Sequence, residues 1–156
     1  MCSRQKMILM TNTKKTLCIS QHFISVVQNH AQRDYPCEAC GFLIGHARGN
    51  IITVSDVIPA ANAAAAETRK RAYRIDPRHW MRTEQQASEQ GLTIIGIYHS
   101  HPDQIPMLSQ TDINALWPNL IYLIVSSGPR QQHPPMAWKL NDAIGKPEVC
   151  DLHLLE

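Results

Sequence analysis

Residues 93–112 read TIIGIYHSHPDQIPMLSQTD, a mostly apolar run followed by a cluster of polar side chains. The apolar part, residues 93–98, predicts a buried strand. His99 and His101 follow it two residues apart, so an extended backbone directs both imidazoles to the same side. Pro102 has no backbone N–H and ends the hydrogen bonding of the strand. The stretch therefore predicts a central strand whose carboxyl end presents two histidines.

The second half of the stretch predicts a short helix. Ser109 can cap a helix over residues 112–117, and Asp112 then lies in the first turn, where it can fold back towards the histidines. Two imidazoles and one carboxylate give zinc three ligands and leave a fourth position open, which is typical of catalytic zinc sites. Each piece also has a simpler interpretation. His-x-His pairs are often incidental, and Ser-x-x-Asp often serves only as a capping box.

Length and composition predict a soluble cytoplasmic enzyme of one domain. The 156 residues suffice for one buried core, and 15 basic against 13 acidic residues give no field that favours nucleic acid or a membrane. No apolar stretch approaches the roughly 20 residues of a membrane-spanning helix, and the N-terminal residues predict no signal peptide. Five cysteines at irregular spacings suit reduced thiols in the cytoplasm.

The first third of the chain predicts a tail, a helix and a hairpin. Residues 1–15 lack periodicity and are predicted to be a flexible tail. Ser20 can cap a helix that ends before Pro36, because proline disfavours helix at the residue before it. Residues 39–45 and 51–58 are apolar runs separated by a polar turn with a glycine, which predicts a hairpin. The helix is expected to bury Phe23, Ile24, Val27 and Ala31.

The middle of the chain predicts a loop, a strand and a second helix. Residues 59–70 are rich in alanine and favour a mobile loop over a turn of helix, because alanine buries little surface. Residues 71–75 are predicted to form a strand. Asp76 and Pro77 predict the start of a helix that runs to about residue 90, since a capping carboxylate precedes a proline at the first helical position. That helix is expected to bury Trp80, Met81 and Ala87.

Three more strands are predicted beyond the central stretch, over residues 120–126, 136–140 and 149–154, with the last at a sheet edge. Strands and helices are mixed without strict βαβ alternation. This order predicts an α/β fold, a single domain with a mixed β-sheet flanked by helices.

The motif His99-Ser-His101-Pro102, six residues, Ser109, two residues, Asp112 resembles the JAMM (MPN-plus) metalloprotease signature His-x-His-Pro-x6-Ser-x-x-Asp. Every fixed position is filled, and the resemblance extends over residues 16–156. It is greatest to the small bacterial members that process ubiquitin-like sulfur-carrier proteins. The resemblance implies one zinc ion held by His99, His101 and Asp112. It also implies a curved sheet between helices, similar to the cytidine-deaminase fold.

The family also carries a glutamate on an earlier strand, and Glu38 in the segment EACGFLIG, residues 38–45, matches that context. Taken alone, Glu38 reads as an exposed turn residue. The resemblance instead implies a general base that takes a proton from water and delivers it to the leaving amine. For Ser109 the resemblance implies a hydrogen bond to the oxyanion of the tetrahedral intermediate. This role is compatible with capping, because a cap accepts a hydrogen bond while the hydroxyl donates another.

Two competing motifs and one departure bear on this interpretation. The segment PCEAC, residues 36–40, matches half of a zinc deaminase signature, but residues 1–35 contain no His-x-Glu or Cys-x-Glu. A redox Cys-x-x-Cys is expected at a strand-to-helix junction, whereas this one precedes an apolar strand. Residues 105–108, IPML, replace the Ala-x-Pro common in bacterial relatives, which affects the loop but not the ligand spacing. The other histidines are predicted to be surface or packing residues: His22, His30, His46, His79, His133 and His153.

Three functions remain open from the sequence. The first is a zinc metallopeptidase that hydrolyses the peptide or isopeptide bond after the C-terminal Gly-Gly of a ubiquitin-like sulfur-carrier protein, in sulfur metabolism. The second is a deubiquitinase-like isopeptidase on protein conjugates, which is disfavoured because the chain lacks the long insertions of ubiquitin-chain-specific members. The third is a non-catalytic MPN interaction module, which the intact ligand set disfavours.

Overall fold

The computed structural model describes residues 14–130 and 133–156, which form seven strands and three helices. Most of the predicted N-terminal tail lies outside the described residues. In chain order the elements are β1 Thr16–Ser20, α1 Gln21–Asp34, β2 Cys40–Arg48, β3 Ile51–Ala60, α2 Pro77–Glu89, β4 Thr93–Pro102, α3 Gln110–Asn114, β5 Ile121–Ser127, β6 Met136–Asn141 and β7 Lys146–Leu155.

The strands form one mixed sheet in the order β1-β3-β2-β4-β5-β6-β7, and β7 pairs back onto β1 to close a barrel. The predicted hairpin is the antiparallel pair β2–β3, and the central strand β4 lies between β2 and the parallel strand β5. The predicted edge strand is wrong, because β7 has a neighbour on both sides. β1 was not predicted, because its alternating burial extends over only five residues before the helix cap. β1 pairs with only residues 51–53 of β3.

Alternation along β2 creates two apolar cores, one on each face of the sheet. Leu43 packs on the side of α1, whereas Phe42 and Ile44 pack on the side of α2. The predicted α/β fold with a mixed sheet flanked by helices is therefore confirmed. The residues that α1 contributes to its core include Ile24, Val27 and Ala31.

Both long helices begin where their caps predict. The Ser20 side chain accepts a hydrogen bond from the backbone N–H of Phe23 at 3.2 Å. The Asp76 side chain accepts one from the backbone N–H of residue 78 at 2.8 Å. The prediction that Met81 points inward is wrong, because this side chain is 68% exposed. The buried position is instead Thr83, which shares a helix face with residues 80 and 87.

The segment between β3 and α2 contains no strand, so the strand predicted over residues 71–75 is wrong. The side chain of Asn62 donates to the carbonyl oxygen of Ala72 at 3.0 Å and accepts from the backbone N–H of Arg74 at 3.2 Å. These backbone groups are therefore satisfied by an amide side chain rather than by a neighbouring strand. The mobility expected for the rest of this loop stays a prediction. Within the described part of the chain, no helix is long and apolar enough to cross a membrane.

Candidate metal centre and active site

The carboxyl end of β4 carries His99 and His101 on the face of the sheet that packs against α2. His99 is opposite Cys40 of β2 and beside Ile124 of β5, so its strand has a neighbour on both sides. The two histidines are 0% and 4% exposed. The period of two along a strand therefore places both imidazoles together, as predicted.

Asp112 completes a compact group of three side chains. The Nε2 atoms of His99 and His101 are 3.2 Å apart. Asp112 Oδ1 lies 3.2 Å from His99 Nε2, and Asp112 Oδ2 lies 3.1 Å from His101 Nε2. Asp112 reaches this position from the first turn of α3, which starts two residues earlier and ends three residues earlier than the predicted helix. Two nitrogen donors and one carboxylate aimed at one point fit a divalent cation such as zinc.

Further hydrogen bonds orient two members of the group. His101 Nδ1 donates to the carbonyl oxygen of Ile105 at 3.1 Å, which leaves the lone pair of its Nε2 directed into the group. Asp112 Oδ2 accepts from the backbone N–H of Ser109 at 2.8 Å, and Ser109 Oγ accepts from the backbone N–H of Asp112 at 3.1 Å. The predicted capping box is therefore present, and it fixes the carboxylate as well as the helix.

Burial and proximity shift the pKa values of the three groups in different directions. Burial alone would raise the pKa of Asp112, but hydrogen bonds from His101 and His99 outweigh it and hold that pKa well below its usual range. Burial lowers the pKa of His99 despite Asp112. For His101 the hydrogen bond and the charge of Asp112 outweigh burial and raise the pKa. Asp112 is thus an anion, which is the charge state in which a carboxylate binds a metal ion, and each imidazole would bind in its neutral form.

Glu38 lies beside the group and is 4% exposed, so the interpretation as an exposed turn residue is wrong. Burial raises the pKa of Glu38 to about 7, while His101 lowers it and Asp112 raises it further, which places both charges close by. Within the described ranges, its Oε2 atom has no hydrogen-bond partner. A buried carboxylate with a free oxygen and a near-neutral pKa is suited to proton transfer.

Comparison with known proteins now places the chain. The family described as prokaryotic homologs of the JAB domain matches residues 20–141. The chain belongs to this family. The resemblance inferred from the motif is thereby confirmed.

Among its relatives, this JAB-domain homologue is 34% identical over 120 residues to the Desampylase of Haloferax volcanii, covering 75% of this chain and 84% of that one. It is 28% identical over 137 residues to the CysO-cysteine peptidase of Mycobacterium tuberculosis, covering 87% and 90%. A solution structure from Salinibacter ruber superposes with a TM-score of 0.66 at 30% identity, covering 91% and 92%. One from Desulfitobacterium hafniense, at 24% identity, shares the fold with a TM-score of 0.75, covering 90% and 93%.

Three residues around the site of this JAB-domain homologue were missed by the sequence analysis. Asn62 donates to the carbonyl oxygen of Glu38 at 3.0 Å, and Ser100 Oγ accepts from the backbone N–H of Ala39 at 2.8 Å. Both bonds hold the single peptide group that joins Glu38 to Ala39. Tyr73 stacks on the ring of His99 with centroids 4.6 Å apart. Of the three, only the position of Ser100 could have been predicted from the sequence, because the residue between two histidines on a strand points to the opposite face.

The Cys-x-x-Cys pair takes no part in this centre. Across residues 14–130 and 133–156, the one group of three potential ligands within reach of a single ion is His99, His101 and Asp112. Burial raises the pKa of the Cys40 thiol to about 12, so it remains protonated and unreactive near neutral pH. The deaminase and redox interpretations of Cys37 and Cys40 therefore find no support in the geometry.

An apolar cavity of about 600 Å³ adjoins the metal-ligand group, with Asp112 in its wall. It lies between residues 72–75 of the loop, α2 and α3. Most of its lining side chains are aliphatic or aromatic, which is typical of a site that binds an apolar group. The aromatic residues are Tyr73, Trp80, Trp117 and Tyr122.

Proposed function

We propose that this JAB-domain homologue is a zinc-dependent peptidase that hydrolyses the peptide or isopeptide bond after the C-terminal Gly-Gly of a ubiquitin-like sulfur-carrier protein. The observation that carries the proposal is the convergence of His99, His101 and Asp112 beside the buried carboxylate of Glu38. Relatives named Desampylase and CysO-cysteine peptidase support the choice of a ubiquitin-like substrate.

In this proposal His99 Nε2, His101 Nε2 and one oxygen of Asp112 are the zinc ligands. Zinc bound there would supply a Lewis acid that activates water and polarises a carbonyl group. The chain's own contribution is to fix the ligands. The bond from His101 Nδ1 to the carbonyl of Ile105 sets its tautomer, and the bond from Ser109 sets the rotamer of Asp112.

Glu38 is the proposed general base and acid. Its free Oε2 can accept a proton from the attacking water and later donate that proton to the leaving amine. A pKa of about 7 suits both steps, because neither protonation state is strongly disfavoured near neutral pH. The bonds from Asn62 and Ser100 to the neighbouring backbone limit the movement of this carboxylate.

Ser109 is the proposed oxyanion donor. Its Oγ accepts the capping hydrogen bond from Asp112, which leaves the hydroxyl proton available to the developing negative charge. The residue is exposed at the start of α3, where a substrate carbonyl can approach it. One such donor lowers a barrier by roughly 3 kcal/mol.

The described cysteines form no disulfide, in keeping with action in the cytoplasm. The experiment that tests the function incubates the zinc-loaded protein with a ubiquitin-like carrier extended beyond Gly-Gly by one residue or a short peptide. Mass spectrometry should find the carrier ending at Gly-Gly. The same carrier with Ala-Ala should remain intact, as should both substrates with the Glu38→Gln variant. Faster cleavage of a ubiquitin conjugate would favour the isopeptidase alternative, and no cleavage by the zinc-loaded parent would refute the proposal.

A further inference from the structure

Positive charge is concentrated in residues 69–82. This segment of 14 residues contains six of the 15 basic residues of the chain but only one of the 13 acidic residues, Asp76. The remainder of the chain therefore has nine basic and twelve acidic residues and is net negative. We name the six side chains the basic segment: Arg69, Lys70, Arg71, Arg74, Arg78 and Arg82.

Most of these charges are not neutralised by a carboxylate. Throughout residues 14–130 and 133–156, Arg78 is the one member of the basic segment with an ion pair, to Asp76 at 3.0 Å. Arg69 donates to the carbonyl oxygen of Ala64, and Arg74 donates to that of Ala63. A carbonyl oxygen orients a guanidinium but leaves its full charge. The segment is therefore an exposed cationic surface.

The basic segment borders the apolar cavity beside the metal-ligand group. Arg74 itself lines the cavity, and Pro77 and Met81 of α2 line it too. Arg78 and Arg82 directly follow these two residues and lie on one helix face, four residues apart. On the rim, Met81 is 68% exposed and Trp117 is 69% exposed. Two large apolar side chains thus stand at the solvent boundary of an aromatic cavity edged by cations.

We infer that this surface docks an acidic segment of the carrier protein, with a bulky apolar side chain of that segment seated in the cavity. The inference rests on the proposed function, since it assigns the partner that delivers its tail to the same centre. Charge complementarity identifies the partner as acidic, and the apolar walls identify the side chain that enters. Unlike charge contacts at an exposed rim, an apolar side chain seated against the apolar walls keeps its contribution at high salt.

A nucleic acid is a less suitable occupant of this surface. It would use the cations and could stack on Trp117, but the cavity is lined mainly by apolar side chains. The anionic backbone of a nucleic acid gains nothing from apolar walls. A protein segment can satisfy the apolar and the cationic parts together.

The test uses two fluorescein-labelled peptides, DEDLEFGG and its counterpart NQNLQFGG without side-chain charges, which end at Gly-Gly and therefore bind the zinc-loaded parent protein without being cleaved. Fluorescence anisotropy should give a dissociation constant about three- to tenfold lower for the acidic peptide at low salt. The difference should vanish at about 1 M salt, where the Debye length is about 3 Å. Equal affinity of the two peptides at low salt would overturn the inference.

Two sets of substitutions locate the effect. Lys70→Gln with Arg71→Gln removes two exposed side chains that make no hydrogen bond or ion pair within the described parts of the chain, and should abolish most of the preference for the acidic peptide. The matched control, Arg48→Gln with Lys146→Gln, removes the same charge from the last residue of β2 and the first residue of β7 and should retain the preference. Trp117→Ala should weaken the binding of both peptides equally. An equal loss in the control pair, or displacement of the peptide by a 12-mer oligodeoxythymidine of the same affinity, would contradict the inference.

Failure of the docking surface is distinguishable from failure of the enzymatic proposal. The same two peptides extended by one residue are offered to the zinc-loaded parent. Cleavage of both with equal kcat/KM at low salt would overturn the docking inference and leave the peptidase proposal standing. Preferential binding of the acidic peptide without any cleavage would support the docking inference and count against the peptidase proposal.

Discussion

Two buried histidines, one packed on each face of β4, differ in their hydrogen bonding. On the α1 face, His30 is 6% exposed and both ring nitrogens are used. Its Nδ1 lies 2.7 Å from the hydroxyl oxygen of Tyr98, and its Nε2 lies 3.2 Å from Asp34 Oδ2. On the α2 face, His99 is fully buried, and its Nδ1 has no hydrogen-bond partner in the described residues. Tyr98, which bonds His30, and His99 are consecutive residues of β4. A fully hydrogen-bonded histidine and one with an unpaired ring nitrogen therefore lie on opposite faces of the same strand.

The difference teaches which polar group to suspect of chemistry. Burying an unpaired polar atom costs about 1–3 kcal/mol, so a protein keeps one only where something else uses it. His30 is complete within the chain and stabilises the contact between α1 and the sheet. On the α2 face, the Nε2 atoms of His99 and His101 instead face each other and Asp112, where an ion would bind their lone pairs, and Glu38 Oε2 has no partner among the described residues. The experiments below test this contrast.

The largest effect is expected when a proposed ligand is removed. His101→Ala should eliminate bound zinc and reduce activity to the assay background, because two remaining ligands hold the ion weakly. His30→Gln, on the opposite face, is the matched control and should retain full zinc stoichiometry. Metal analysis beside kcat decides the matter. Equal zinc loss in both variants would show that the two faces do not differ in function.

Glu38→Gln separates the base from the ligands. Glutamine keeps the shape of the side chain but cannot accept a proton, so zinc should remain while kcat falls about ten-thousand-fold or more. Zinc stoichiometry and turnover are measured on the same preparation. A variant nearly as active as the parent would mean that the free Oε2 of Glu38 has no chemical role.

Ser109→Ala should have an intermediate effect. Loss of one oxyanion donor should lower kcat about a hundred- to a thousand-fold with zinc retained. Loss of the cap should also destabilise α3 by about 1 kcal/mol. Ser20→Ala, which removes the cap of α1, is the control that loses a cap without the catalytic effect. If both serine variants lose activity equally, Ser109 acts only through folding.

Tyr98→Phe tests the hydrogen-bonded histidine, His30, on the α1 face of β4. Removing the hydroxyl leaves the Nδ1 of His30 unpaired in the core and should reduce the free energy of unfolding by about 1–3 kcal/mol. Zinc content and kcat should stay within a few-fold of the parent. Tyr35→Phe, which loses an exposed hydrogen bond to Asp103, should cost less. Urea denaturation provides the comparison, and a large loss of kcat without loss of stability would assign Tyr98 to the chemistry instead.

The smallest effect is a pH dependence of stability. Burial lowers the pKa of His30, Asp34 raises it and Arg33 lowers it, and the pKa remains below the ordinary value of about 6.5. The unfolded chain therefore takes up this proton first, so the free energy of unfolding should fall as the pH drops below about 6.5. Urea denaturation between about pH 7.5 and 5.5 should show a smaller slope for His30→Gln. An unchanged slope would mean that other groups cause the pH dependence.

Local features of this fold were predictable from the sequence, and most non-local ones were not. The caps Ser20, Asp76 and Ser109 act within a few residues, so their side chains reveal them. The spacing of the two histidines likewise needs only the strand period. By contrast, the burial of Glu38 depends on Asn62, which lies 24 residues away and has no signature of its own. The position of β1 between β7 and β3 depends on pairing across the whole chain.

The short pairing of β1 has a consequence for the resistance of this protein to aggregation through a sheet edge. β1 covers only residues 51–53 of β3, so residues 54–60 have β2 as their one strand neighbour among the described residues. A bare edge of this kind is a template for aggregation. Here Asp56 is exposed and its Oδ1 accepts from the next backbone N–H at 2.8 Å, while Pro59 has no N–H to offer. A charge and a proline thus interrupt the edge where an incoming strand would have to pair.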